Sequence, residues 1–134
     1  MTTPDILPDR PPTLRVATMP ADTNVAGDIF GGWILAQIDI AGSVVAHLRA
    51  EGRVTTVAVN AVQFHQPVLV GDLVSFYAEV VRVGRTSLTV NVDVFAERFR
   101  EPHAHECVRV TAATLTYVAI GHDRRPRPVP AASG

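Results

Sequence analysis

GDIFGGWILAQIDIAGSVVAHLRAEG, residues 27–52, is the longest stretch of this chain with helical spacing. Ile34, Ile38, Ala41, Val45 and Leu48 recur at i, i+4 and i+7, the mark of one buried helix face. The spacing predicts a helix from about Gly31 to Ala50, ended by Gly52. Gln37, Asp39, Ser43 and His47 interrupt its apolar character, so it is not read as a membrane span. Asp39 stands out among them. A carboxylate is a poor helix former and expensive to bury. It is either paired for structure, with Arg53 or Arg85 as partners, or kept for chemistry. The flanking face of Leu35, Ala36, Gly42, Ser43 and Ala46 is mostly small, which leaves room for a ligand or a partner helix.

Before this helix, Leu14 to Met19 reads as a short strand and Pro20 to Asp28 as a polar loop. Downstream, four Val- and Thr-rich runs read as strands: Arg53 to His65, Leu73 to Val83, Thr86 to Glu97, and Cys107 to Ile120. Gly71-Asp72 and Gly84-Arg85 supply turns. In the third run Leu88, Val90, Val92 and Val94 alternate with Ser87, Thr89, Asn91 and Asp93, as in an antiparallel strand with one buried face. Leu73, Tyr77, Val81 and Val83 leave apolar area on the second face. The expectation is an α+β domain, a strongly bent antiparallel sheet wrapped around one long central helix. Leftover edges and apolar area are then covered by other subunits. Strand, loop, long helix and four strands is the pattern of a hotdog fold.

The chain has 134 residues, 47% of them hydrophobic, and a formal net charge of -1. That suits one domain with a real core and carries no basic footprint for nucleic acid. The segments 1–12 and 122–134 are Pro-rich and polar and read as flexible tails around a domain over 13–121. Neither a signal sequence nor a span is visible, so a cytoplasmic location is expected. The lone Cys107 excludes an internal disulfide and reads as strand filler. His103 and His105 form an H-x-H without a third ligand at zinc-like spacing, so no metal site is expected. Arg124, Arg125 and Arg127 read as charges that keep the tail solvated.

The chemistry centres on the start of the helix. Gly31-Gly32 allows a ligand to approach the backbone closely. First-turn N–H groups lack intrahelical partners, and the helix dipole adds partial positive charge, so a developing oxyanion is well served there. Asn24, seven residues before Gly31, either donates its amide to a carbonyl or water, or closes an Asx turn. Asp39 lies eight residues after Gly31, roughly 12 Å along the helix axis. One helix cannot easily serve one carbonyl from both positions. Two helices antiparallel across a twofold axis can, so the site is expected to belong to a dimer.

MPADTNVAGDIFGGWILAQIDIAG (19–42), GRVTTVAVNAVQFHQPVLVGDLVSFYAEVVRVGRTS (52–87) and LTYVAI (115–120) resemble the hotdog acyl-CoA thioesterases of the short-chain bacterial, YciA-like type and their brain-type acyl-CoA hydrolase relatives. The resemblance covers nearly everything between the tails. It implies hydrolysis of an acyl-CoA thioester to a free acid and coenzyme A, with no cofactor beyond the CoA of the substrate. It maps the catalytic carboxylate onto Asp39, the loop amide onto Asn24 and the carbonyl-polarising N–H onto Gly31. It also implies sites shared across a dimer and, usually, dimers assembled into hexamers. Arg85, Thr86 and Ser87 are the first candidates for CoA phosphate contact, Arg53 a further one. Phe30, Gly32, Trp33 and Asn60 are the candidates for the acyl pocket. Asn60 stands where relatives often carry an acidic residue, and His65-Gln66 matches no pattern, so chain-length preference is left open. Two other functions remain: a hotdog hydratase or dehydratase, for which His47, His65 and His122 are available away from the helix-start signature, and a non-catalytic acyl-CoA-binding module.

Overall fold

A five-stranded sheet in the order β1-β3-β4-β5-β2, antiparallel throughout, curls around one helix in the computed structural model, which describes residues 5–100 and 104–132. The strands are β1 (Leu14–Ala17), β2 (Val54–Phe64), β3 (Leu73–Val83), β4 (Ser87–Arg100) and β5 (Ala104–Ala119), and α1 spans Gly31–Ala50. This is the expected hotdog arrangement, and α1 and β3 fall on the boundaries read from the sequence. β4 alternates as expected, with Leu88, Val90, Val92 and Val94 fully buried against the helix.

The outer arms differ. β4 runs past the expected end at Glu97 to Arg100, and β5 starts at Ala104, before the expected Cys107. Side-chain pairs hold this extension. His105 Nε2 lies 3.0 Å from Glu97 Oε2, and His105 stacks on Phe99. His103 lies outside the described residues. Among the described residues no three His, Cys, Asp or Glu side chains gather as a metal set would require. β1 stops at Ala17 because Thr18 turns its hydroxyl to Leu69 O and Asp72 O, both 3.0 Å away.

α1 is long and apolar enough to cross a membrane by length and composition alone, yet it forms the centre of the core. Ile34, Ile38, Ala41, Ala46 and Ala50 are buried. Leu48, expected on the buried face, is 70% exposed. The buried face rotates along the helix as it follows the curled sheet, so small Ala46 and Ala50 take the place expected for Leu48. Ile40, Val44 and Leu48 then form an exposed apolar stripe. Beside it, β2 is a sheet edge of 11 residues that exposes Val57 and Val59. A long apolar edge of this kind is a template for pairing.

Both segments read as flexible tails make contacts with the domain. Leu7 packs on the cluster of Tyr77, Phe95 and Cys107, and Arg10 lies over the Tyr77 ring. The second apolar face of the sheet is thus partly covered by the chain's own N-terminal segment. At the other end, Val129 N donates to Arg85 O at 2.8 Å and Arg127 N to Ala119 O at 2.9 Å. Arg127 Nη2 donates to Ala50 O at 2.9 Å, which satisfies an end carbonyl of α1. Arg127 is therefore a helix cap and not merely a solvated tail charge.

Candidate active site

α1 carries the two halves of the site at different heights. Its first turn starts without any side-chain cap at Phe30. Trp33 N and Ile34 N both donate to Phe30 O, at 3.1 and 3.3 Å. The N–H groups of Gly31 and Gly32 have no acceptor among the described residues. Two free donors at a helix N-terminus are a ready site for a polarised or anionic oxygen.

Asn24 stands beside this turn. Its Oδ1 accepts from Ala26 N at 2.9 Å and from Asp28 N at 3.2 Å, which closes the loop. Both alternatives read from the sequence are therefore compatible. The carbonyl half of the amide shapes the loop, and Nδ2, without a partner among the described residues, is left as a donor. Asn24, Gly31, Phe64, His65 and Gln66 line one cavity of about 350 Å³. His65 is far from the helix start in sequence, but β2 brings it to that cavity. Asp39 does not line it.

Asp39 is half-buried two turns further along α1. Neither Arg53 nor Arg85 pairs with it. Thr56 Oγ1, from β2, donates to Asp39 Oδ1 at 2.7 Å. Tyr117 OH, from β5, lies 2.9 Å from the same Oδ1 and 2.9 Å from Asp39 O. One oxygen is held by two hydroxyls and the other, Oδ2, has no partner among the described residues. Tyr117 is fully buried, and its pKa is raised by burial first and then by the hydrogen bond and charge of Asp39. The phenol is a fixed donor at neutral pH. Sequence reading missed Thr56 and Tyr117, which come to Asp39 from 17 and 78 residues away.

The remaining candidates separate. Phe30 and Gly32 are exposed at the helix start, and Trp33 packs at the rim of the core. Asn60 does not join them. It sits at a bulge in β2, and its Oδ1 accepts from Thr116 Oγ1 at 2.7 Å. Thr116 alternates with the core residues Leu115 and Tyr117, so this pair lies on the sheet face turned away from α1. Arg85 is exposed in the β3–β4 turn, and its guanidinium has no partner among the described residues. Thr86 O accepts from Ala119 N, and Ser87 O from Gly84 N, both at 2.8 Å. Arg53 lines a separate groove of about 420 Å³ with Ser43, Val44, His47, Leu48 and Val54.

The model of the thioesterase superfamily matches residues 26–102, a span that includes α1, β2, β3 and β4. This chain belongs to the thioesterase superfamily. Among the superfamily's curated members, the acyl-CoA thioester hydrolase YciA of Salmonella typhimurium is 44% identical over 130 residues, 97% of this chain and 98% of that protein. The hexameric hotdog thioesterase Cj0915 of Campylobacter jejuni is 44% identical with a TM-score of 0.87, over 90% of this chain and 91% of that one. HI0827, a hexameric broad-specificity acyl-coenzyme A thioesterase solved as an aspartate-to-alanine mutant, is 42% identical with a TM-score of 0.84, over 89% and 86% of the two chains.

Proposed function

We infer that this chain is an acyl-CoA thioesterase, hydrolysing an acyl-CoA thioester to a carboxylic acid and coenzyme A. The observation that carries the reading is Asp39, a helix carboxylate with one oxygen held by two hydroxyls and the other free. Its relatives act on acyl-CoA, and one was crystallised with an aspartate replaced by alanine.

In the proposed reaction the free N–H groups at Gly31 and Gly32 receive the thioester carbonyl oxygen and stabilise the charge it gains. Asn24 Nδ2, beside them, orients the thioester or the water. Asp39 Oδ2 takes a proton from water as it attacks, or attacks the carbonyl itself to give an anhydride that water then hydrolyses to the acid and the free carboxylate. Thiolate leaves as the tetrahedral centre collapses. The proposed chemistry draws on these residues, water and the substrate.

Gly31 and Asp39 of one chain lie roughly 12 Å apart along α1. The proposed site therefore pairs the helix start of one protomer with Asp39 of its partner. The exposed stripe of Ile40, Val44 and Leu48 and the open β2 edge support such a dimer. The hexameric relatives support a trimer of dimers. Arg85, with Thr86 and Ser87, and Arg53 are proposed for the CoA phosphates. Phe30, Gly32 and Trp33 are proposed for the acyl end, and Asn60, on the opposite sheet face, is left out. A cytoplasmic location, where acyl-CoA is made and used, fits this substrate.

The test is thiol release from a panel of acyl-CoA lengths with wild type, Asp39→Asn and Asp39→Ala. We expect kcat to fall by about 10²–10⁴ in both variants, the range of a lost base, with the oligomer intact. A variant with normal kcat would remove Asp39 from the reaction. His65, on the cavity that holds Gly31, gives a hydratase its one supporting observation. Hydration of crotonyl-CoA without thiol release would favour that second reading.

A further inference from the structure

A carboxylate on a helix turns freely about two bonds unless something holds it. Tyr117 reaches Asp39 from the opposite wall of the core, with its hydroxyl 2.9 Å from both the main-chain O and Oδ1 of that one residue. A contact to both oxygens sets the side chain relative to its own backbone. It leaves few rotamers.

The helix makes room for this contact. Gly42 is buried in the middle of α1, where glycine costs roughly 0.5–1 kcal/mol relative to alanine. A Cβ there would stand 2.3 Å from Tyr117 OH and 3.1 Å from its Cζ. Any side chain at 42 would push the hydroxyl off Asp39. The phenol would need only one acceptor to be buried without penalty, and the carbonyl of Asp39 already supplies it. The second contact, to Oδ1, is what satisfying the phenol alone does not explain.

We propose that Tyr117, admitted through the gap at Gly42, is a positioning residue that holds Asp39 Oδ1 against the helix so that Oδ2 alone meets the substrate. This rests on the reading of Asp39 as the catalytic carboxylate. The hydroxyl has one proton for two acceptors. It points to Oδ1, which Thr56 Oγ1 also holds at 2.7 Å, so a proton taken up at Oδ2 leaves both contacts to Oδ1 in place. Among the described residues, the elements packed around the pair carry few other ionisable groups. β2 carries none, β5 from Val110 onward carries only Tyr117, and the inward residues of β3 and β4 are aliphatic or Phe76. On α1 the nearest are His47 and Arg49, two turns or more away.

The experiment compares Tyr117→Phe, Gly42→Ala and the double variant in steady-state thiol release, with Asp39→Asn as reference. Loss of a hydrogen bond to a charged group should lower kcat by about tenfold in Tyr117→Phe, with KM little changed. Gly42→Ala should do the same by displacement. The double variant should be no worse than the poorer single one, because both changes break one contact. Wild-type kcat in Tyr117→Phe, or losses that multiply in the double variant, would overturn the proposal. A second measurement needs no change at Tyr117. The chain has two tyrosines, so the ultraviolet titration of the phenols is readable. Tyr117 should titrate lower in Asp39→Asn than in wild type, because the neighbouring charge is gone. A titration that does not move would overturn the contact even if Tyr117→Phe fails to fold. Asp39→Asn with full turnover would end the catalytic reading itself. An inactive Asp39→Asn beside a fully active Tyr117→Phe would end the positioning role alone.

Discussion

At the scale of single residues, the contact between Tyr117 and Asp39 links the site to stability. The folded state keeps the phenolic proton because burial, and then Asp39, raise its pKa. The unfolded chain loses that proton near the ordinary value of about 10. Above that pH the unfolded state binds fewer protons than the folded one, so stability falls as pH rises. The contribution is whole below about pH 10 and is lost as pH climbs through the raised folded value. Urea unfolding midpoints between about pH 9 and about pH 11 should therefore drop more steeply in wild type than in Tyr117→Phe. Equal slopes would contradict the hydrogen bond. Asp39 was legible in the sequence because a charge in an apolar helix is conspicuous. Tyr117 was not, since alternation in β5 marks it only as an inward-facing residue. Gly42 was the available signal. A glycine inside a helix marks close approach by something, and only the fold shows that the something is a hydroxyl.

At the scale of elements, the loop before β3 depends on one buried ion pair. Arg98 Nε lies 3.1 Å from both oxygens of Asp72, and its Nη2 donates to Pro67 O. Asp72 in turn accepts from Leu69 N at 2.8 Å. This pair fixes residues 67–72, whose start lines the cavity with Asn24 and Gly31. Arg98→Ala strands the buried carboxylate and should cost about 3–5 kcal/mol, read as a lower denaturant midpoint. A change within about 0.5 kcal/mol would show the pair to be dispensable. Helix and strand periodicity placed α1 and β3 to the residue. Periodicity did not place the far ends of β4 and β5, because Arg98 and His105, beyond Glu97 and before Cys107, are charged or polar and look like loop. Their partners across the hairpin and at Asp72 supply what the local pattern lacks.

At the scale of the molecule, half of the twelve basic residues gather at one end. Arg49, Arg53, Arg85, Arg124, Arg125 and Arg127 surround the end of α1, the β3–β4 turn and the segment over 121–130. The sequence did not show this, because its net charge is close to zero and the cluster comes from three separate stretches. An end so charged suits the phosphates of CoA. KM for an acyl-CoA should rise between low salt and about 0.5 M salt, where charges are screened within a few ångströms, while kcat changes little. A KM indifferent to salt would place the phosphates elsewhere. The exposed stripe on α1 and the open edge of β2 belong to the same scale, since one chain leaves them uncovered.

If each site takes its helix start from one protomer and Asp39 from the other, two inactive variants should complement each other when mixed. Asp39→Asn and Asn24→Ala subunits, unfolded together and refolded, should form mixed dimers in which one of the two sites has neither change. Thiol release should then recover to about a quarter of wild type, since half the dimers are mixed and each has one intact site. A mixture as inactive as its separate components, with mixed dimers shown to be present, would place both groups in one chain and contradict the account.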